Sequence, residues 1–175
     1  MRYLVTGGAG FIGSNFIRYV LDRESGAEVT NLDALTYAGV RATVDELDRL
    51  EGHSFVHGDI RDRDLLISLL PGHDVVVHFA AETHVDRSIA GPDPFLETNV
   101  VGTGVLLDCA MRARIPRFIH VSTDEVYGSI TEGFASEADC LNPSSPYASS
   151  KAGADLLVLS YGITHGYAVV VTRCT

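Results

Sequence analysis

A glycine-rich turn near the amino terminus constrains the fold more than any other feature of the chain. It joins an apolar run, Tyr3–Thr6, to the amphipathic segment Phe11–Arg23, whose apolar residues recur at helical spacing. Gly7 suits a tight turn, Gly10 leaves room for a ligand's phosphates, and Gly13 allows the helix to pack closely on the strand. This arrangement predicts the start of a βαβ unit that binds an anion at the helix amino end.

The rest of the chain continues the alternation of strands and helices. Further strands are predicted at Glu28–Asp33, Ser54–His57, Asp74–Phe79, Arg117–Ser122 and Ala168–Arg173, and further helices at Asp62–Leu70, Pro94–Arg114 and Tyr147–His165. Most of these strands are continuous apolar runs, typical of strands covered by helices on both faces. Right-handed crossovers then give an α/β fold with a doubly wound parallel sheet of Rossmann type, in the strand order 3-2-1-4-5-6. We assign residues 1–175 to one domain without a substrate domain, and expect it to be the amino-terminal part of a longer enzyme.

Charge and composition argue against several classes of protein. The net charge is −10 and the chain has no Lys/Arg cluster, which argues against a nucleic-acid partner. No apolar stretch approaches the length of a membrane span, and the cysteines are odd in number and widely spaced. We therefore expect a cytoplasmic protein with no membrane partner. His84 and Asp86 have no third ligand within reach, so no metal site is predicted.

The end of the second predicted strand indicates which cofactor the turn would hold. Asp33 follows Gly13 by about 20 residues, where a carboxylate binds the ribose hydroxyls of a dinucleotide and repels a 2′-phosphate. No arginine follows immediately, and Arg41 is the nearest. An aspartate in an ordinary turn remains the alternative, but the combination favours NAD over NADP. Asp59 and Ile60, after the third strand, are candidates to frame the adenine.

A tyrosine and a lysine lie four positions apart on the last predicted helix. Tyr147 and Lys151 therefore share one face, and Lys151 is the only lysine in the chain. A phenol is a poor base at neutral pH, but a nearby ammonium and a positive nicotinamide ring favour the phenolate. Tyr147 would then remove the proton from a substrate hydroxyl as hydride leaves for NAD.

Two adjacent carboxylates follow the fifth predicted strand. Asp124 and Glu125 lie at the carboxyl edge of the sheet, where they would be able to divide the roles of general acid and general base. They also suit the start of a helix, where acidic residues are favoured. The spacing alone leaves both interpretations open.

Five longer motifs point to a known family. They are Thr6–Gly13, Leu35–Gly39, Phe79–Ser88, Thr123–Gly128 and Ser145–Lys151. Together they resemble the extended short-chain dehydrogenases/reductases and, more narrowly, the nucleotide-sugar 4,6-dehydratases, above all those that act on dTDP-glucose. The resemblance covers the whole chain, and Thr123–Glu125 is its most specific part. Thr83 stands where the family commonly has serine, and threonine keeps the hydroxyl group.

The resemblance implies an internal redox cycle that ends in loss of water. Tyr147 would deprotonate the sugar C4 hydroxyl while NAD accepts hydride, and Thr123 would hydrogen-bond the same oxygen. Glu125 would remove the C5 proton, and Asp124 would protonate the departing C6 hydroxyl. Return of the hydride to C6 would give the 4-keto-6-deoxy sugar.

The resemblance, with the glycine turn, also defines a binding site and an assembly. Thr83 and Thr123 are predicted to touch the substrate. The predicted cofactor residues are Gly7, Gly10, Phe11, Ile12, Gly13, Asp33, Ala34, Leu35, Thr36, Asp59, Ile60, Phe79, Ala80, Ala81, Thr98, Tyr147 and Lys151. The resemblance also implies that the predicted helices Pro94–Arg114 and Tyr147–His165 pair two copies into a homodimer. The apolar surface expected there, unless it covers the chain's own sheet, consists of Leu106, Leu107, Ala110, Leu156, Leu157 and Leu159.

Other functions use the same turn and the same Tyr/Lys pair. A sugar-nucleotide 4-epimerase or reductase needs no adjacent carboxylates after the fifth strand, so Asp124 and Glu125 favour the dehydratase. A non-catalytic NAD-binding module often lacks the tyrosine or the lysine, and this chain has both. A third alternative is a fragment of such an enzyme that does not turn over alone.

Overall fold

Six parallel strands form a single sheet in this computed structural model, which describes residues 1–174. The strands are Arg2–Thr6 (β1), Glu28–Asp33 (β2), His53–His57 (β3), Val75–His78 (β4), Arg117–Thr123 (β5) and Val169–Cys174 (β6). Their order is β3-β2-β1-β4-β5-β6, and every neighbouring pair is parallel. The predicted α/β fold and strand order are therefore confirmed.

Helices connect the strands on both faces of the sheet. They are Phe11–Arg23 (α1), Arg41–Leu47 (α2), Arg63–Leu69 (α3), Val85–Ala90 (α4), Asp93–Phe95 (α5), Thr103–Arg112 (α6) and Pro146–His165 (α7), with a π-helix at Leu96–Gly102 and a 3₁₀-helix at Asp124–Tyr127. The segment Pro94–Arg114, predicted as one α-helix, thus contains a π-helical stretch between α5 and α6. The short helices α2 and α4 were not predicted, because one or two turns carry too few residues for a helical period to be recognised.

Side chains that alternate along β1 supply two hydrophobic cores. Leu4 points to the face covered by α3, α6 and α7, and Val5 points to the opposite face, where α1 packs. Both are completely buried. The core on the Leu4 side also contains Leu106, Leu107 and Ala110, each 0% exposed. The expectation that these three residues form a dimer surface is wrong, because they cover the chain's own sheet.

The crossovers locate the place where a ligand binds. The turn after β1 leads to α1 on one face, whereas the helices after β4 lie on the other face, so a crevice opens between the carboxyl ends of these two strands. None of the helices in residues 1–174 is long and apolar enough to cross a membrane.

Candidate active site

The glycine turn is held against the ends of two strands. The Gly7 N–H donates to the carbonyl of Leu32, and Gly7 adopts a φ of +75°, which favours glycine. A Cβ on Gly7 would lie 2.6 Å from the backbone nitrogen of Ala80, and one on Gly13 would lie 2.4 Å from the Gly7 carbonyl oxygen. Gly10 is the N-cap of α1 and provides no capping side chain, so the turn presents backbone N–H groups at the crevice.

Asp33 supports the same turn from the end of β2. Its Oδ2 accepts from the Ala9 N–H at 2.9 Å, and its Oδ1 accepts from the Leu35 N–H at 2.7 Å. The side chain is almost fully buried, yet it also lines the crevice. Each carboxylate oxygen can accept a second hydrogen bond. Asp33 is therefore both a structural anchor of the turn and an available acceptor for a ligand's hydroxyls.

A cavity of about 600 Å³ extends along the carboxyl edge of the sheet. This volume lies within the range of small-molecule and cofactor sites. It is lined by every predicted cofactor residue except Leu35, whose N–H instead donates to Asp33. Thr83 also lines it, whereas Thr123, Asp124 and Glu125 lie outside the lining. Lining residues that the sequence did not single out are Leu32, Ala38, Gly39, Gly58, Arg61, Glu82, Pro94, Glu97, Val121 and Ser122.

The start of α7 directs Tyr147 and Lys151 into this cavity. Ser145 caps the helix by accepting from the Ala148 N–H, and proline occupies the first turn, where its missing N–H costs nothing. The Tyr147 N–H donates to Ser88 Oγ at 3.0 Å, and Lys151 Nζ donates to the Val121 carbonyl at 2.9 Å. The last contact ties the lysine to β5.

Burial dominates the acid–base behaviour of the pair. Burial lowers the pKa of Lys151 to about 8, although the Asp155 carboxylate opposes the shift. Burial and the negative charge of Glu125 raise the pKa of Tyr147, with the Thr123 hydroxyl acting in the opposite direction. The sequence suggested that Lys151 would favour the phenolate. In the structure the ammonium donates to a backbone carbonyl, and the pKa of Tyr147 is raised rather than lowered.

Asp124 and Glu125 open the 3₁₀-helix that follows β5. Thr123 is its N-cap: its Oγ1 accepts from the Glu125 N–H at 3.3 Å and lies 3.3 Å from Asp124 Oδ1. Both carboxylates are exposed, and the negative charge of each acts to raise the pKa of Tyr147. The two interpretations of the pair are compatible, because the short helix that the carboxylates open packs against α7, which carries Tyr147.

Two supports of the site were not assigned a role from the sequence, although Tyr37 lies within the motif Leu35–Gly39. Asn99, on the π-helix, is 1% exposed and bonds both backbone groups of Glu82 and the Ser150 hydroxyl. The Tyr37 hydroxyl donates to the Thr83 carbonyl and accepts from the Thr83 N–H, both at 3.0 Å. The hydrogen bonds of Asn99 fix the loop after β4 to α7. Those between Tyr37 and Thr83 link the same loop to the loop after β2.

No cluster of three His, Cys, Asp or Glu side chains suited to a metal ion occurs within residues 1–174. His78 and His120, which the sequence placed in strands, are buried there. His78 lies within hydrogen-bond distance of the hydroxyls of Thr6 and Thr103. Burial lowers the pKa of both histidines, so both are neutral at pH 7.

Comparison with known proteins finds a matching family and several similar proteins. The family model described as GDP-mannose 4,6 dehydratase matches residues 4–175. A dTDP-glucose 4,6-dehydratase of Streptomyces niveus is 54% identical over 100% of this chain and 53% of that protein. The low-salt glycan biosynthesis protein Agl12 of Haloferax volcanii is 57% identical over 99% of this chain and 56% of its own length. The chain thus spans about half the length of these curated relatives.

Solved structures agree with these sequence matches. The dTDP-glucose 4,6-dehydratase DesIV from Streptomyces venezuelae, solved with NAD and dTDP bound, matches with a TM-score of 0.96 and 56% identity, over 99% of this chain and 55% of that one. A UDP-Glc/GlcNAc 4-epimerase from Campylobacter jejuni matches with a TM-score of 0.91 and 27% identity, over 98% and 52% of the two chains.

Proposed function

The chain belongs to the GDP-mannose 4,6-dehydratase family, and from this premise we propose that the complete protein is an NAD-dependent nucleotide-sugar 4,6-dehydratase, a hydro-lyase acting on dTDP-glucose. Residues 1–175 are its NAD-binding domain. The choice of dTDP-glucose is supported by the 54% identity to a dTDP-glucose 4,6-dehydratase.

One observation carries the proposal. Half-buried Tyr147 and buried Lys151 line the same cavity as the glycine turn, and the 3₁₀-helix that opens with Asp124 and Glu125 packs against α7, which carries them both. A dehydrogenase needs only the Tyr147/Lys151 pair and the glycine turn. Elimination of water also needs its own base and acid next to the oxidised carbon, and adjacent carboxylates supply both.

The residues present fit NAD. Gly10 carries no side chain at the N-cap of α1, so a pyrophosphate is able to reach the N–H groups at the start of this helix. Asp33 would accept from the adenosine ribose, and Asp59, which also lines the cavity, would frame the adenine. NAD, when bound, supplies the hydride acceptor and a positively charged ring.

The chain's own side chains would then act in sequence. Tyr147 takes the proton of the sugar C4 hydroxyl, while Thr123 orients that oxygen and Lys151 holds the helix against β5. The resulting 4-keto group acidifies the C5 proton, which Glu125 removes. Asp124 protonates the C6 hydroxyl, so that it leaves as water and a C5=C6 double bond forms beside the 4-keto group. The hydride taken from C4 would then return to C6, and C5 would regain a proton, which gives the 4-keto-6-deoxy product.

The direct test uses the complete protein and dTDP-glucose. We expect the purified protein to carry NAD and to form the 4-keto-6-deoxy sugar, detected by NMR without added oxidant, because the hydride is returned within one cycle. Formation of the C4 epimer instead would support the 4-epimerase alternative. That alternative rests on a shared fold at 27% identity. Retention of NAD with no sugar turnover would indicate a non-catalytic module.

A homodimer in the cytoplasm is the proposed state of the complete protein. Among the residues suggested by the sequence, Leu156 and Leu159 remain exposed on α7, whereas Leu157 packs against the core. Ile163 extends this row, 88% exposed, and Val101 on the π-helix is 56% exposed. Apolar residues in a row on one helix are typical of an interface.

Light scattering at micromolar concentration should therefore give the mass of two copies. Replacing Leu156 and Ile163 together by glutamate should give the mass of one copy, because two carboxylates would be buried without partners. Glutamate at the exposed Ile67 on α3, which is 58% exposed, is the matched control and should leave the dimer intact. A wild-type monomer would contradict the proposal.

A further inference from the structure

A buried ion pair lies behind the active site and is not used by the mechanism above. Asp155, one turn after Lys151 on α7, is 0% exposed, and its Oδ2 accepts from Arg173 Nε at 2.9 Å. Burial acts to raise the pKa of Asp155, but the hydrogen bond from Arg173 and the nearby polar groups of His120 and Ser122 outweigh it and keep the pKa below its usual value. The carboxylate therefore stays ionised, and Arg173 on β6 is its cationic partner.

The same arginine reaches the segment that carries the carboxylates. Arg173 Nη1 donates to the Tyr127 hydroxyl at 2.6 Å, and the guanidinium carbon lies 5.0 Å from the centre of the Tyr127 ring. Tyr127 is the last residue of the 3₁₀-helix that opens with Asp124. A continuous chain of contacts thus runs from α7 through β6 to the 3₁₀-helix.

Besides the bond from Arg173, the 3₁₀-helix is held by Val126, whose side chain is completely buried, and by packing against α7. Asp124 and Glu125 are exposed, and their recorded side-chain contact is the local one between Thr123 and Asp124. The far end is held by the Asn142 N–H, which donates to the Val126 carbonyl, and by the Arg173–Tyr127 bond. Lys151 fixes α7 to β5, so the distance between phenol and carboxylates depends on what holds the 3₁₀-helix.

We propose that Asp155, Arg173 and Tyr127 are positioning residues, which set the 3₁₀-helix so that Asp124 and Glu125 are aligned for water elimination at the site of Tyr147. This inference rests on the proposed function and deepens it. None of the three residues touches the reacting atoms. Their effect is confined to the placement of the acid and the base, so C4 oxidation, which depends on α7 and the glycine turn, should be largely independent of them.

Tyr127→Phe in the complete protein is the mildest test, because it removes one hydroxyl and keeps the ring. In single-turnover experiments with dTDP-glucose, we expect reduced nicotinamide to form at a near-normal rate. Its decay, which follows water loss, should be slower by between about tenfold and a hundredfold, as expected for a misplaced catalytic group. Arg173→Lys keeps a cation beside Asp155 but loses the guanidinium that donates to Asp155 and Tyr127 at once. It should likewise slow the decay of reduced nicotinamide and leave its formation near normal.

Tyr19→Phe is the matched control, since the Tyr19 hydroxyl on α1 is exposed and has no hydrogen bond recorded among the described residues. A purely structural role would lower the melting temperature and slow both steps together. That result, or an unchanged decay in both variants, would overturn the inference while leaving the proposed function intact. A wild-type protein that makes no 4-keto-6-deoxy sugar would instead overturn the proposed function, and the inference with it.

Discussion

Tyr147→Phe in the complete protein is expected to abolish C4 oxidation of dTDP-glucose. The phenol of Tyr147 lines the cavity, and the Thr123 hydroxyl acts on its pKa, so the variant loses the group assigned as the base. The loss should be at least about 10²–10⁴-fold, the range for removal of a general base. Mixing the variant with substrate in a stopped-flow spectrophotometer should therefore reveal no reduced nicotinamide.

The pH dependence of the same step provides a second check. Burial and Glu125 raise the pKa of Tyr147, so the neutral phenol predominates at pH 7. The rate of C4 oxidation should therefore rise with pH until the phenol is ionised. Glu125→Gln removes one of the charges that raise this pKa, so it should shift the profile to lower pH.

A variant Tyr147→Phe that still forms reduced nicotinamide would contradict the assignment of the base.

The parts of the fold that sequence analysis predicted are those that follow from local chemistry. Continuous apolar runs such as Val75–Val77 indicate strands covered on both faces, and the glycine turn indicates where the first helix begins. An apolar helix face, in contrast, does not state what covers it. Leu106 and Leu107 face the chain's own sheet and Leu156 faces solvent, although each belongs to a row of apolar residues on a predicted helix.

The supports of the site were missed for a different reason. The role of Asn99 depends on contacts with Glu82 and Ser150, and that of Asp155 on contact with Arg173. Each partner is at least one element away, so neither local spacing nor propensity points to it. The π-helix around Asn99 is likewise stabilised by tertiary contacts rather than by its own residue types.

Replacement of the two carboxylates should separate water loss from oxidation. In Asp124→Asn and Glu125→Gln of the complete protein, Tyr147 and Lys151 keep their places, so hydride transfer from C4 should still occur. An amide neither donates an acidic proton to a leaving hydroxyl nor removes one from carbon, so elimination should slow by about 10²–10⁴-fold. Reduced nicotinamide should therefore accumulate, with the 4-keto sugar as its partner, detected by quenching and mass spectrometry.

The two variants should also differ from each other. Glu125→Gln should suppress exchange of the C5 proton with deuterium from the solvent, because the base is lost, whereas Asp124→Asn should allow that exchange while water loss stalls. Glu51→Gln is the matched control, since Glu51 is exposed on the turn before β3, whereas the cavity lies beyond the carboxyl end of that strand. Product formation at the wild-type rate in both variants would reduce Asp124 and Glu125 to the start of a short helix. The chemistry would then be that of an epimerase-like reductase, in which Tyr147 acts without a second base.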